Sequence, residues 1–297
     1  MEHAAPASLA APAPAILGEG PVWDAARGVV WWIDIEGKTL HCHSPDSGAN
    51  RSYDLGQRVG AVACCDDGRL VAALHHGFFY LDPQTSQLEP IADPEADLPD
   101  NRFNDGKCDP QGRFWAGTMN LDPLRRSTGA LYSLDAHGGV ARHFGGIGVS
   151  NGLAWTADGS TLYYIDSLAG TIDAFDFDGQ AGTLAGRRAV FQVPQELGAA
   201  DGMTIDENDR LWVAFWGGWC VAQIDPVAGK LLQRIAVPTA HVTSCTFGGA
   251  RRERLYITTA RHGLEPDQLA AQPLAGQLFV AEPGVCGPLA VAFRTAN

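Results

Sequence analysis

The sequence predicts an all-β fold, a six-bladed β-propeller, from three observations. A short turn followed by an apolar or aromatic strand recurs six times, at spacings between 42 and 49 residues. A second strand follows most copies, and Asp, Gly and Pro bound both strands, as is typical of tight turns. The chain also has 35 Gly and 18 Pro residues, which favours turns over long helices. Units of about 45 residues with four short strands are typical of propeller blades.

The six copies of the turn begin at equivalent points of the repeat. Their first residues are Asp24, Asp66, Asp109, Asp158, Asp206 and Arg251. One blade cannot bury both of its faces, so we expect the blades to stack around an axis and leave a central channel. A β-sandwich with coincidental spacing is the alternative fold. We expect residues 1–14, rich in Ala and Pro, to form a loose lead-in and residues 15–297 to form a single propeller domain.

The composition limits the partners of this chain. A net charge of -13 repels phosphate backbones and anionic membranes, so neither nucleic acid nor membrane is expected as a partner. There is no apolar run of about 18 residues to span a bilayer and no segment typical of a signal peptide. Seven cysteines without a Cys-x-x-Cys spacing indicate reduced thiols. We therefore predict a cytoplasmic protein, monomeric or weakly homo-oligomeric, that binds a small molecule.

Four polar clusters stand just before repeat strands, where the mouth of the channel would lie. They cover residues 18–21, 102–106, 150–153 and 200–203. Glu19, Asn151 and Asp201 each precede a glycine, which is ordinary turn chemistry at any one site. Because the clusters occupy the same position within separate repeats, we expect them to meet near the axis. Two carboxylates and one amide oxygen suit a divalent cation such as calcium, zinc, magnesium, manganese or iron(II).

These clusters resemble those of the senescence-marker-protein/gluconolactonase/regucalcin family of six-bladed propellers. The similarity runs from residues 17–21 to residues 258–261 and is most specific over residues 102–118. It implies that Glu19, Asn151 and Asp201 bind one divalent metal ion. It further implies hydrolysis of a sugar lactone, a pentono- or hexonolactone, to the aldonic acid.

The same resemblance implies substrate contacts. Arg102 and Asn104 stand where the family holds its substrate. Some members carry a substrate-contacting glutamate shortly after the segment that corresponds to residues 117–119, and here Asn120 is the candidate for that place. Trp216 and His262 are either mouth-lining or packing residues.

The chemistry expected of the site leaves one choice open. A metal ion polarises the lactone carbonyl and acidifies a water molecule. Asp201 is the candidate base, but a carboxylate beside a dication is acidic, so water activated by the metal is the alternative. Asp105 and Lys107 are expected to brace the loop. Two other functions stay open: hydrolysis of other esters or phosphotriesters, and a non-enzymatic calcium-binding regulatory role.

Three further features favour structural roles. Residues 148–152 match Gly-x-Ser-x-Gly, but a strand and a turn follow, not the helix that a nucleophile elbow requires. His41 and His43 could bind a soft metal, although we expect them to be exposed on an outer strand. Cys65 alternates with apolar residues and is expected to pack as a small hydrophobic side chain.

Overall fold

Among the described residues, six sheets make up the fold: each contains four antiparallel strands, and one sheet carries a fifth, parallel strand at its edge. The computed structural model describes residues 2–3, 5–122, 124 and 126–296, with side chains from residue 5 onward. The predicted all-β, six-bladed propeller is confirmed.

The strands follow one another in four-strand groups after two short N-terminal strands. They are β1 (Glu2–His3), β2 (Ser8–Ala11), β3 (Gly18–Asp24), β4 (Val29–Asp34), β5 (Thr39–His43), β6 (Asn50–Asp54), β7 (Val59–Cys64), β8 (Leu70–Leu74), β9 (Gly77–Leu81), β10 (Leu88–Ala92), β11 (Asn101–Cys108) and β12 (Phe114–Asn120). They continue as β13 (Gly129–Leu134), β14 (Val140–Ile147), β15 (Ser150–Trp155), β16 (Thr161–Asp166), β17 (Thr171–Asp178), β18 (Thr183–Gln192), β19 (Ala199–Ile205), β20 (Leu211–Trp216), β21 (Cys220–Asp225), β22 (Lys230–Ala236), β23 (Val242–Gly248), β24 (Arg254–Thr259) and β25 (Leu278–Ala281). A 3-10 turn covers Gln195–Leu197, and the helix α1 covers Pro266–Ala271, within the segment predicted to form one or two turns.

The ring closes through the N-terminal segment. The inner strands β3, β7, β11, β15, β19 and β23 contact one another in that order, and β23 contacts β3. The outer strand of the sixth sheet is β2, which pairs antiparallel with β25, while β1 adds a parallel strand to the fifth sheet. Residues 2–3 and 8–11 are therefore not the loose lead-in that the sequence predicts. Backbone hydrogen bonds define an outer strand, and an Ala-rich segment gives no alternating pattern that would reveal it.

A buried aspartate organises the turn between the first two strands of three blades. Its Oδ2 accepts a hydrogen bond from the indole Nε1 of a tryptophan on the second strand, and its Oδ1 accepts one from a backbone N–H of the turn. The pairs are Trp31–Asp24 at 3.1 Å, Trp115–Asp109 at 2.9 Å and Trp212–Asp206 at 2.9 Å. Hydrogen bonds to the aspartate thus hold each of these turns against its hairpin. The aromatic side chains fill the space between blades.

Each inner strand breaks its pairing register near its start. The shifts fall between Glu19 and Val22, Val59 and Ala61, Phe103 and Asp105, Asn151 and Leu153, Ala200 and Met203, and Val242 and Ser244. A β-bulge re-aims the side chain at the break, and bulges recur next to active sites. The fold therefore repeats one irregularity around the axis.

The discounted motifs have structural roles. Ser150 opens strand β15, is fully buried, and its Oγ accepts a hydrogen bond from Tyr164 at 2.8 Å, so it is not on a nucleophile elbow. His41 and His43 are buried, which corrects the expectation of exposure, because the His41 ring stacks on Trp32 at 4.1 Å.

The thiols are unpaired, and both helical segments in the described part of the chain are short. All seven cysteines are free, and Cys65 lies in the apolar core between the second and third blades. None of the helices in the described part of the chain is long and apolar enough to cross a membrane.

Candidate active site

The register shifts bring six residues to equivalent points around the channel, at the end where the inner strands begin. They are Glu19, Gly60, Asn104, Asn151, Asp201 and Thr243. All of those with side chains are buried. The structure thus gathers the three predicted metal ligands and one predicted substrate contact into one ring, which we call the axial ring.

Arg102 and Asn104 form a hydrogen-bonded chain into the next blade. The Nη1 group of Arg102 donates to Oδ1 of Asn104 at 2.7 Å and to the carbonyl of Phe103 at 3.0 Å. Asn104 in turn donates from Nδ2 to the Ser150 carbonyl at 2.8 Å and to Oδ1 of Asn151 at 3.1 Å. Both amide hydrogens of Asn104 are therefore used, and only its oxygen can accept a further bond.

Asn151 is held from its other side as well. Its Nδ2 donates to Oγ of Ser167 at 2.8 Å, and Ser167 donates to the carbonyl of Ala200 at 2.6 Å, directly before Asp201. The Oδ1 atom of Asn151, which accepts from Asn104, keeps a second lone pair. This network fixes the amide so that its oxygen is the available ligand atom.

Three buried carboxylates, two in the axial ring and Asp105 next to it in sequence, act on one another. Burial raises the pKa of Glu19 well above its ordinary value, and the charges of Asp201 and then Asp105 raise it further. Burial, followed by the charge of Asp105, likewise raises the pKa of Asp201. The charge of Arg102 lowers both pKa values but does not offset the causes that raise them. Without a cation these carboxyls therefore hold protons more tightly than exposed ones, and a bound cation would favour their ionised forms.

Asp105 is the third carboxylate, and Lys107 partly compensates it. Burial raises the pKa of Asp105 to about 6, against the opposing charge of Lys107 and the N–H of Gly106, which donates to Oδ1 at 2.7 Å. The Lys107 ammonium donates to the carbonyl of Met203 at 2.7 Å, across the channel from the third to the fifth blade. The predicted bracing role of these two residues thus involves the whole channel.

The donor set fits a divalent cation that prefers oxygen. Buried carboxylates that repel one another are stabilised by a bound cation, and oxygen atoms of carboxylates and amides are the ligands of calcium and magnesium. Within residues 5–122, 124 and 126–296, no three His, Cys, Asp or Glu side chains converge tightly enough to hold a metal without other ligands. The amide of Asn151 is therefore a necessary member of the candidate set with Glu19 and Asp201.

Asn120 does not belong to the axial ring. It ends β12, and its Nδ2 donates to Oδ1 of Asn101 at 3.0 Å and to Oγ1 of Thr128 at 3.1 Å. Its Oδ1 accepts from the backbone N–H of Asp122 at 3.0 Å. These contacts brace the edge of the third blade, and the substrate contact of Asn120 stays a prediction.

An ion pair stands at the mouth above the axial ring. Nε and Nη2 of Arg58 donate to the Glu36 carboxylate at 3.0 and 2.9 Å. Glu36 and Arg58 are the charges that act most on Arg102, whose pKa burial lowers to about 10, so Arg102 stays cationic at neutral pH. The sequence gives no sign of this pair because 22 positions separate its members.

An aromatic stack lies at the same mouth. The Trp216 and His241 rings are parallel within 14° and 3.9 Å apart, and they join the fifth blade to the sixth. The charge of His262 acts on Glu36, which places this wall near the ion pair. Trp216 was a candidate from the sequence, whereas His241 was not.

A cavity of about 230 Å³ lies farther along the inner strands from the axial ring. Its wall is mainly apolar and includes Val22, Ala63, Ile205 and Phe247, and residues 288–291 cross its far end. Asp105 and Lys107 also line it, so they separate this cavity from the mouth.

Comparison with known proteins places the chain among related propellers. A family model described as the SMP-30/Gluconolactonase/LRE-like region matches residues 17–261. The chain belongs to this family. Regucalcin of Oryctolagus cuniculus is 40% identical over 266 residues, which are 88% of this chain and 89% of that protein. A Bacillus subtilis protein named "Putative sugar lactone lactonase YvrE" is 38% identical over 276 residues, 93% of this chain and 94% of that protein.

Solved structures within the family share the whole fold. The crystal structure of a calcium-binding protein, regucalcin, from Agrobacterium tumefaciens has a TM-score of 0.93 and 30% identity, and the match covers 99% of this chain and 100% of that one. A gluconolactonase structure from Xanthomonas campestris has a TM-score of 0.74 at 24% identity, over 95% and 99% of the two chains, and supports the fold alone. The predicted family and the predicted propeller are therefore confirmed.

Proposed function

We propose that this chain is a metal-dependent lactonase that hydrolyses a sugar lactone, a pentono- or hexonolactone, to the aldonic acid. The observation that carries the proposal is the cluster of Glu19, Asp105 and Asp201, three buried carboxylates beside the fixed amide oxygen of Asn151. The names of the family and of the Bacillus subtilis relative support the substrate class.

Glu19, Asn151 and Asp201 would hold the cation. When bound, a divalent cation supplies Lewis acidity, which polarises a carbonyl oxygen and lowers the pKa of water. The residues around it fix the ligand geometry, because Asn151 is held by both Asn104 and Ser167. Burial of the ring excludes bulk water and strengthens each electrostatic contact.

Arg102 and Asn104 would position the lactone. Arg102 is held by Asn104, so its guanidinium is preorganised to donate to a substrate oxygen. Asn104 has spent both amide hydrogens, so it would accept a hydrogen bond from a sugar hydroxyl through Oδ1. Donor and acceptor side by side suit a polyol better than a triester without hydroxyl groups. This pairing favours a sugar lactone over the aryl ester or phosphotriester alternative.

Asp201 is the proposed proton acceptor. Burial, and then the charge of Asp105, raises the pKa of Asp201 and makes it a stronger base than an exposed aspartate. A bound cation acts in the opposite direction and lowers that pKa. Asp201 would then hold the proton only briefly and pass it toward the leaving alcohol.

Calcium binding without catalysis is the second candidate function. Relatives named regucalcin, including one described as a calcium-binding protein, favour it. In that case the same carboxylates would hold calcium, while the mouth residues Arg102 and Asn104 would have no substrate to contact. Cytoplasmic location and a monomeric or weakly oligomeric state stay predictions beside either function.

Hydrolysis of a panel of aldonolactones by metal-stripped protein, followed with a pH indicator, tests the proposal. Calcium, zinc, magnesium, manganese and iron(II) are added back one at a time. We expect negligible turnover of the stripped protein and recovery with at least one metal on at least one pentono- or hexonolactone. Calcium binding with no turnover on any lactone with any metal would leave the regulatory function in its place.

A further inference from the structure

Among the described side chains, three stacked His–Trp pairs have almost identical geometry. They are His41–Trp32 at 4.1 Å and 16°, His143–Trp115 at 3.9 Å and 17°, and His241–Trp216 at 3.9 Å and 14°. Two of them lie inside single blades, where a serine hydroxyl contacts the imidazole: Ser52 for His41 and Ser133 for His143. The third pair lies between the fifth and sixth blades, and its imidazole contacts the carbonyl of His262 instead of a serine hydroxyl.

His241 stands at the mouth by the geometry of the repeat. It comes two positions before Thr243 of the axial ring, as Arg102 comes two positions before Asn104. Thr243 donates from Oγ1 to the carbonyl of Gly18 at 2.6 Å, directly before Glu19. The imidazole therefore occupies in the sixth blade the level that the Arg102 guanidinium occupies in the third.

The hydrogen bonding of His241 defines its tautomer. Its Nδ1 lies 3.0 Å from the carbonyl oxygen of His262, which can only accept, so Nδ1 carries the proton. Burial lowers the pKa of His241, which keeps the ring neutral at physiological pH. In the neutral ring Nε2 is then an acceptor, and no group among the described residues donates to it.

We infer that His241 accepts a hydrogen bond through Nε2 from a hydroxyl of the bound lactone and thereby selects polyhydroxylated lactones over unsubstituted ones. The inference rests on the proposed lactonase function and identifies a specificity residue for it. Arg58 and Arg102 are hydrogen-bond donors at the mouth. The Glu36 carboxylate, an acceptor, already binds Arg58. His241 supplies an acceptor on the wall that it shares with Trp216.

His241→Phe tests the contact because it keeps an aromatic ring on Trp216 and removes the acceptor. Loss of one neutral hydrogen bond corresponds to a roughly 3- to 10-fold loss of binding affinity. We expect kcat/KM for glucono-1,5-lactone to fall by that factor through KM, while kcat/KM for δ-valerolactone is unchanged. His241→Gln, whose amide oxygen can accept, should recover part of the preference. His143→Phe, the matched change in a stack inside the third blade, should leave kcat/KM for both lactones unchanged.

Binding of the product separates this inference from the lactonase proposal. Calorimetry on calcium-loaded protein should show gluconate binding weakened by the same factor in His241→Phe, with 5-hydroxyvalerate unaffected. Suppose that wild-type protein is active and that His241→Phe leaves kcat/KM for both lactones unchanged or lowers both equally. That result would overturn the inference and leave the lactonase proposal intact. Wild-type protein without turnover but with weakened gluconate binding in His241→Phe would overturn the lactonase and keep the contact. Absence of gluconate binding to wild-type protein would overturn the contact.

Discussion

Asn104 donates a hydrogen bond from Nδ2 to Oδ1 of Asn151 over 3.1 Å and so joins the third blade to the fourth at the axial ring. The same amide accepts from Arg102 at 2.7 Å. One side chain thus links the proposed substrate contact to a proposed metal ligand. Substrate position and metal affinity are therefore expected to depend on each other.

Asn104→Ala should weaken metal binding although Asn104 is not itself a predicted ligand. Removal of a side chain that orients a ligand typically costs 10- to 100-fold in metal affinity. We expect a loss of about that size in the dissociation constant for calcium, measured by titration calorimetry. Asn101→Ala in the same strand, remote from Asn151, is the control. Unchanged affinity in Asn104→Ala would show that Asn151 needs no such support.

Glu19→Gln and Asp201→Asn should each lose metal binding and turnover while the fold persists. Each removes one anionic oxygen but keeps the shape of the side chain. Far-UV circular dichroism should be unchanged, and calcium should raise the melting temperature of wild-type protein but not that of either variant. Wild-type turnover in either variant would mean that the metal site lies elsewhere.

The metal-free protein should lose stability as pH rises, because of Asp105. The folded-state pKa of about 6 exceeds the ordinary value near 3.9, so the folded state binds the proton more tightly than the unfolded state. This contribution to stability is present below about pH 4 and is lost as pH rises through about 6. Asp105→Asn cannot ionise at this position, so its stability does not fall in this way as pH rises. In a chelator, we expect its melting temperature to exceed that of wild type at pH 8 by about 2–4 °C.

The comparison at low pH is the internal control for Asp105→Asn. At pH 4.5 Asp105 is protonated in the folded protein, so the advantage of the variant should shrink. An equal difference in melting temperature at pH 4.5 and pH 8 would contradict a raised pKa of Asp105.

Asn120→Ala should lower stability more than it affects substrate binding. The side chain satisfies hydrogen bonds with Asn101, Thr128 and Asp122, and loss of buried partners costs about 1–3 kcal/mol. Denaturant unfolding should show this loss, with KM changed less than twofold. A large rise in KM at unchanged stability would restore the substrate contact that the family resemblance implies.

The sequence reveals the propeller because the turn carries its own chemistry. Asp24, Asp109 and Asp206 recur because each accepts from both the turn and a tryptophan. Strand β2 escapes detection because its place depends on backbone pairing with β25, more than 260 residues away. Its side chains have no pattern that local propensity could read.

Some residues of the candidate site could likewise be predicted from the sequence, and others could not. Glu19 and Asp201 stand out because each precedes a glycine at one phase of the repeat. Asp105 is harder to assign, since only the register shift between Phe103 and Asp105 reveals that its carboxylate acts on the other two. His241 and Trp216 are paired by blade packing, which no local sequence pattern encodes.

Titration of metal-stripped protein with a single divalent cation during lactone hydrolysis tests the central claim most directly. Turnover should be negligible in chelator and should rise to a plateau at one equivalent of the activating metal, while Asp201→Asn stays inactive throughout. Full turnover of the stripped protein in chelator would contradict the account.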